Sequence, residues 1–278
     1  MSTQHAPRPT VGWLITDTLS VARRHLLKIT RVPESLFFAL IQPVMFVLLF
    51  AFVFGGAINV GQGGARAYRE FLIPGIFAQT VMFAVASITV GITEDSHRGI
   101  MDRFRSLPMK PGAVLGGHTL ASLLQNSLVI VMLSVTGLAV GWRPRGTVSE
   151  TALAYLMFAA FAYAITWVGA WIGLHMPSPE VAGTAGLAWI FPLTFASSVF
   201  TPIGTMPGWL QPIAQWNPVS CLALAARTLF HNPTPLMGDT FPEQHCVALS
   251  FGWAALLLVI FAPAAVRYFT HHASASRA

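Results

Sequence analysis

The chain alternates between long uninterrupted apolar runs and short polar stretches that hold most of its charge. A run such as "VMFVLLFAFVF" is too long and too uniformly apolar for a buried strand. Helices that cross a bilayer core need about 20 such residues. On that measure the pattern predicts six spans, at about 35–57, 71–93, 114–141, 151–174, 181–203 and 246–268. Before Arg267 none of them contains Lys, Arg, Asp or Glu. Pro43, Pro74, Pro192 and Pro263 fall inside spans, where membrane helices tolerate proline if neighbours satisfy the freed carbonyls. Ahead of the first span, residues 11–31 place Ile15, Leu19, Ala22, Leu26 and Ile29 on one helical stripe and Arg24, Lys28 and Arg31 on another. That is the pattern of an interfacial helix with its basic side toward anionic headgroups; a plain anchoring stretch fits it as well. The expected fold class is an all-α integral membrane protein, one transmembrane domain over residues 1–278.

Composition agrees. Hydrophobic residues are 54% of the 278 and charged residues only 9%, with a mean hydropathy of +0.63. A soluble domain would carry about a quarter of its residues charged, so lipid is the solvent here. The net charge of +6 comes from sixteen basic residues spread between apolar spans, which makes no nucleic-acid-binding face. Their distribution instead sets orientation. Eleven lie in the N-terminal segment, the 94–112 stretch and the C-terminus; five (Arg66, Arg69, Arg143, Arg145 and Arg227) lie on the opposite side. The positive-inside rule therefore predicts both termini in the cytoplasm. The first thirty-odd residues lack an apolar h-region with a cleavage site, so no signal peptide is expected.

What is absent narrows the mechanism. No G-x-x-x-x-G-K-[ST] occurs, so the chain has no nucleotide-binding P-loop of its own. No span carries a central acid or base of the kind that relays protons or couples ions. The polar positions inside spans are neutral: Gln42, Gln79, Thr80, His118, Gln125, Asn126, Ser127, Thr166 and Ser197. Most of these suit ordinary interhelical hydrogen bonds; Gln42, Gln79, Gln125, Asn126, Thr166 and Ser197 are the candidates to line a transport path. Gly169 and Gly173 form a small-xxx-small pair that points to helix packing. No catalytic set is apparent, and His231, His245, Cys221 and Cys246 match no common metal-binding spacing. A Cys221–Cys246 disulfide suits an outer location; unpaired thiols fit as well.

One stretch stands apart. "EDSHRGIMDRFRSLPMKPG", 94–112, holds seven of the twenty-six charged side chains: Glu94, Asp95, Arg98, Asp102, Arg103, Arg105 and Lys110. Ser96 is placed to cap a short helix that Pro108 ends. Within it Ile100, Phe104 and Leu107 share one stripe, and Arg98, Asp102 and Arg105 another. A solvated loop that merely carries topogenic charge is the alternative.

These residues resemble a known family. Glu94, Gly99, Arg103 and Pro108 in "EDSHRGIMDRFRSLPM" look like the cytoplasmic loop of ABC-2 type exporter permeases, above all those of the daunorubicin-resistance type. "RRHLLKITRVPESLFFALIQPVMFVLLF" resembles the family's approach to its first span, and "FTPIGTMPGWLQPIAQWNPVS" its Pro-rich outer segment. The resemblance implies a permease subunit of a bacterial plasma-membrane exporter that does not itself hydrolyse ATP. It implies a separate ABC ATPase subunit that holds the ATP and magnesium, and a second permease, identical or sibling; this chain would need no cofactor. It implies a coupling helix at 96–107, with Ile100, Phe104 and Leu107 buried against the ATPase and Arg98, Arg103 and Arg105 at the rim. Glu94 would help fix that loop's geometry, and Gly99 and Pro108 belong to the same ATPase-coupling set. It also implies that 204–230 dips into the membrane from outside as short helices and closes the exit. Pro202, Pro207, Trp209, Trp216 and Pro218 are the gate candidates there, and Arg227 should hold the segment at the outer surface. An amphipathic, drug-like or lipid-like cargo follows from the same resemblance. An ion-coupled efflux carrier and a lipid-acting membrane enzyme are the competing classes, disfavoured by the missing intramembrane carboxylates and the missing catalytic cluster.

Overall fold

The structure, a computed structural model, describes residues 33–54, 60, 64–98, 111–235, 238 and 240–275. The expected interfacial helix at 11–31 lies outside the described residues, as does the expected coupling helix from Gly99 onward. Among the described residues the chain is helical with turns and has no strand. Helix α1 (Pro33–Leu49) runs into a π-helical turn, Phe50–Phe54. There follow α2 (Gly64–His97), α3 (Pro111–Val140), α4 (Val148–His175), α5 (Pro179–Ala188), α6 (Ile190–Phe195), α7 (Gln211–Trp216), α8 (Pro218–Leu229), α9 (Phe241–Gln244) and α10 (Cys246–Ala275).

Four described helices (α2, α3, α4 and α10) are long and apolar enough to cross a membrane. They fall on the expected second, third, fourth and sixth spans. The expected first span corresponds to α1 and its π turn, of which Leu40–Phe54 is the described apolar part.

The expected fifth span is not one helix. The 181–203 run breaks into α5, α6 and an irregular stretch at 196–201. Pro192 has no N–H to give the carbonyl of Ala188, and α5 ends at Ala188. After α6 the backbone polar groups are met from elsewhere. Asn217 Nδ2 donates to the carbonyls of Leu193 (2.7 Å) and Ala196 (3.0 Å). Ser198 N–H donates to Ser220 Oγ at 2.9 Å, and Tyr68 donates its hydroxyl to the Phe200 carbonyl at 3.1 Å. Irregular backbone is tolerated among apolar helices only where protein or water satisfies it, and here side chains of α2 and α8 do so.

Helix α2 is the axis of the molecule. In its most apolar window 78% of residues are buried, against 17% for α10, and α3, α4, α5 and α8 all pack on it. Its contact with α4 is made by small residues. Thr89 Oγ1 donates to the carbonyl of Gly169 at 3.1 Å and Thr93 Oγ1 to that of Gly173 at 2.9 Å. The packing role expected of the glycine pair is what the structure shows. At the far end of α2, Phe77 and Phe230 meet Trp142 edge to face, and the Trp142 indole N–H donates to Asn232 Oδ1 at 2.7 Å.

Candidate functional site

An open cleft of about 220 Å³ lies between α1, α2, α3 and α5. It gathers four of the six expected path residues: Gln42 from α1, Gln79 from α2, and Gln125 and Asn126 from α3. Phe46, Phe83 and Val129 supply apolar wall. The helical positions explain the convergence. Gln79 stands among residues that are all buried, and Gln125–Asn126 occupy the turn of α3 that faces it. Gln79 is 2% exposed and Asn126 6%. Neither amide atom of Gln79, nor Oδ1 of Asn126, has a hydrogen-bond partner among the described residues. Buried carboxamides are nearly always paired, so these two are unusual in any protein interior.

The other two path candidates do not join them. Thr166 is fully buried and returns its hydroxyl to the carbonyl of Tyr163. Ser197 donates to the Thr194 carbonyl and accepts from Val199 N–H. Both are used in local backbone bonds and neither lines the cleft. Thr80, which does line it, donates to the carbonyl of Ile76 one turn back.

At one end of the bundle stands the start of the charged island. Helix α2 continues unbroken through Glu94, Asp95 and Ser96 to His97, so Ser96 lies inside this helix and not in a non-helical capping position. Glu94 carboxylate and Arg98 guanidinium stand 3.7 Å apart, with Arg98 exposed. His97 Nε2 contacts the carbonyl of Pro177, tying this end to the loop before α5. Gly99, Ile100, Arg103, Phe104, Arg105, Leu107 and Pro108 lie outside the described residues. One feature here escaped the sequence reading. Asp95, 6% exposed, meets His118 Nε2 of α3 at 3.3 Å. The two stand 23 positions apart in sequence, and no local spacing signals the contact.

At the other end the Pro-rich segment is broken into short helices. Pro202 is buried and opens a 3₁₀ turn, Ile203–Thr205. Pro207 is exposed, Trp209 is 72% exposed, and Trp216 stacks on Phe241 with ring centroids 6.1 Å apart. Pro218 begins α8, directly after the capping Asn217. Arg227 departs from expectation. It is not held at a surface but is 1% exposed. Its Nε donates to the Phe71 carbonyl (2.8 Å), its Nη2 to those of Ser198 (2.7 Å) and Val199 (3.2 Å), and its Nη1 to Ser198 Oγ (3.2 Å). The guanidinium also lies 3.6 Å from the centre of the Phe71 ring. A buried cation needs its donors satisfied; the broken backbone at 196–201 supplies two of the three carbonyls and α2 the third. The sequence did show an ionisable residue in an apolar segment, which is itself a signal; the backbone break that receives it was not visible. Beyond it, Glu70 accepts from Arg145 at 2.6 Å with Arg66 at 3.5 Å. Cys221 and Cys246 are buried, free thiols, and Cys246 Sγ lies 3.9 Å from the Thr228 hydroxyl.

Comparison with known proteins places this architecture in a class. The family model described as ABC-2 type transporter matches residues 16–230, and the chain belongs to that family. It is 30% identical over 263 residues to the daunorubicin resistance ABC transporter permease protein DrrB1 of Streptomyces coeruleorubidus, covering 94% of this chain and 89% of the relative. It is 20% identical to the probable doxorubicin resistance ABC transporter permease protein DrrC of Mycobacterium tuberculosis, over 91% of this chain and 88% of the relative. A putative transport permease, ycf38, of Cyanophora paradoxa is also 20% identical, over 90% of this chain and 86% of the relative. The chain is thus an ABC-2 permease homologue with membrane-spanning apolar helices.

Proposed function

We propose that this chain is the membrane permease subunit of a bacterial exporter that moves an amphipathic drug-like or lipid-like molecule out of the cell with ATP hydrolysed by a separate subunit. One observation carries the reading: an ABC-2 chain whose sequence contains no P-loop must borrow its energy. The neutral polar cleft between α1, α2 and α3 supports it, because a path lined by amides and hydroxyls suits an amphipathic cargo better than an ion. The names of the drug-resistance relatives point the same way.

On this reading six segments cross the plasma membrane, the fifth as the broken α5–α6 pair, with both termini and the 94–112 island in the cytoplasm. The stretch 96–107 docks on the ATPase, which holds the nucleotide and magnesium. A second permease copy or a sibling completes the path, and the 204–230 segment closes its outer end, pinned by Arg227.

The buried Asp95–His118 contact favours a second reading, an ion-coupled carrier, since such pairs relay protons in some transporters. Its place in the last turn of α2, beside the island rather than mid-span, suits a structural brace better.

Nucleotide binding separates the two. The purified chain should neither bind nor hydrolyse ATP, while its complex with the ATPase subunit does both. Saturable nucleotide binding by the chain alone, or proton-driven transport by it without an ATPase, would overturn the assignment.

A further inference from the structure

Asp95 in the last turn of α2 and His118 near the start of α3 bring ionisable side chains into the bundle interior. The two side chains are 8% and 5% exposed, with His118 Nε2 3.3 Å from Asp95 Oδ2. Apolar packing lies directly beside them. Ile92 stands one turn before Asp95, Val114 and Leu115 one turn before His118, and all three belong to one buried cluster with Trp167 and Phe269. Exchanging a buried ion pair for apolar residues is often neutral or even stabilising, and the best-attested use of such a pair is to select one register among several. Adhesion between α2 and α3 is already supplied by the cluster, so what the pair adds is orientation. Chain continuity adds little. Helix α2 ends at His97 and α3 begins at Pro111, and a connection of that length reaches about 45 Å when extended. At the far end of α2, Tyr68 donates to the Phe200 carbonyl and the Phe71 carbonyl accepts from Arg227. One rigid helix therefore joins the start of the island to the broken stretch at 196–201 and to α8, the kind of packed element that carries coupling between distant sites.

We propose that the Asp95–His118 pair locks α2 and α3 into one register beside the island, so that movement imposed on the island turns both helices together and reaches the outer segment. Asp95 and His118 are then positioning residues for energy coupling and not steps on a proton path. The inference rests on the permease reading and adds the device by which motion leaves the island.

The test compares the parent, the double variant Asp95→Leu with His118→Leu, and the exchanged pair Asp95→His with His118→Asp. The double leucine keeps the site filled without a stranded charge, so its thermal midpoint should stay near the parent's. Spin labels go on exposed positions in a background lacking Cys221 and Cys246. Ser96→Cys and Leu124→Cys report the α2–α3 register, and Ser149→Cys and Trp209→Cys report the outer segment. In the full-length chain alone in lipid nanodiscs, the parent should give one narrow Ser96–Leu124 distance. The double leucine should show a second distance, and the exchanged pair should return to one. In the complex with the ATPase subunit, trapping nucleotide with vanadate should shift the Ser149–Trp209 distance in the parent and the exchanged pair. In the double leucine, nucleotide should still be trapped but the shift lost. A purely structural pair predicts a double leucine identical to the parent in both distances, and that result would overturn the proposal. So would an exchanged pair that restores neither distance, or a parent whose outer distance does not respond to trapping. The register measurement needs no ATPase and judges the pair by itself, whereas a complex that traps no nucleotide counts against the permease reading.

Discussion

A Cβ on Gly173 would lie 2.7 Å from the carbonyl oxygen of Thr89, and one on Gly169 would lie 2.8 Å from that of Val85. Backbone cannot yield as a flexible side chain can, so even alanine must push α4 away from α2. That separation would also stretch the Thr89 and Thr93 hydroxyl bonds to the two glycine carbonyls. Overpacking of this kind costs about 1–3 kcal/mol. Gly91, on α2 itself, has nothing within 4 Å of its Cβ position. Gly173→Ala should therefore lower the thermal unfolding midpoint of the purified protein, while Gly91→Ala leaves it level or raises it slightly. Equal midpoints would mean that the close approach of α2 and α4 does not hold the bundle together. This pair was readable in advance, because small residues four apart on an apolar helix have one common purpose. Arg227 was only half readable. Its charge in an apolar segment stood out, but its partners are main-chain carbonyls at Phe71, Ser198 and Val199, and composition gives no sign of which carbonyls a broken helix leaves free.

At the scale of elements, apolar run length located α2, α3, α4 and α10 well, since a membrane span depends mostly on uninterrupted apolar length. It failed at the fifth run. The apolar composition of 181–203 is unbroken, and what divides it is Pro192 together with the long-range caps from Asn217 and Ser220. Helix ends were also longer than hydropathy suggested. α2 extends over Arg66, Arg69 and Glu70 at one end and Glu94 and Asp95 at the other. Charges stopped the hydropathy count but not the helix, because Glu70 is met by Arg145 and Asp95 by His118. The cleft was legible as a list of neutral polar residues but not as a place: Gln42, Gln79, Gln125 and Asn126 converge only once three helices pack, while Thr166 and Ser197 turn to their own backbones. Orientation is tested at this scale. The start of the island and the loop after α3 lie at opposite ends of helices, and the eleven-to-five basic asymmetry is the ground for the proposal that the island is inside. In a background lacking Cys221 and Cys246, an impermeant thiol reagent applied outside should label a cysteine at Gly146 and not one at Ser106. Gly146 sits tightly against the Leu229 carbonyl, so Ser149→Cys, in the exposed first turn of α4, is the gentler equivalent. Equal labelling from outside would reverse the topology and remove the island from the ATPase side.

For the whole molecule, the proposed function joins a membrane domain whose sequence holds no P-loop to a charged island that would dock the ATPase. On the proposed coupling helix Ile100, Phe104 and Leu107 would form one apolar stripe, which gains little from facing water. Burying a phenylalanine side chain is worth about 1.5–3 kcal/mol, and an unpaired carboxylate in the same pocket adds a desolvation penalty. On the proposed coupling helix Asp102 would lie on the other stripe, away from that contact, and Arg103 would stand at the rim, where a charge affects orientation and encounter more than affinity. The direct measurement is co-purification of the ATPase subunit with the permease, together with ATP-driven uptake of substrate into inverted membrane vesicles, for the parent, Phe104→Asp, Arg103→Ala and Asp102→Asn. The account predicts that Phe104→Asp inserts normally but loses both the partner and transport, that Arg103→Ala is intermediate, and that Asp102→Asn is close to the parent. A Phe104→Asp permease that retains its ATPase and transports like the parent would contradict it.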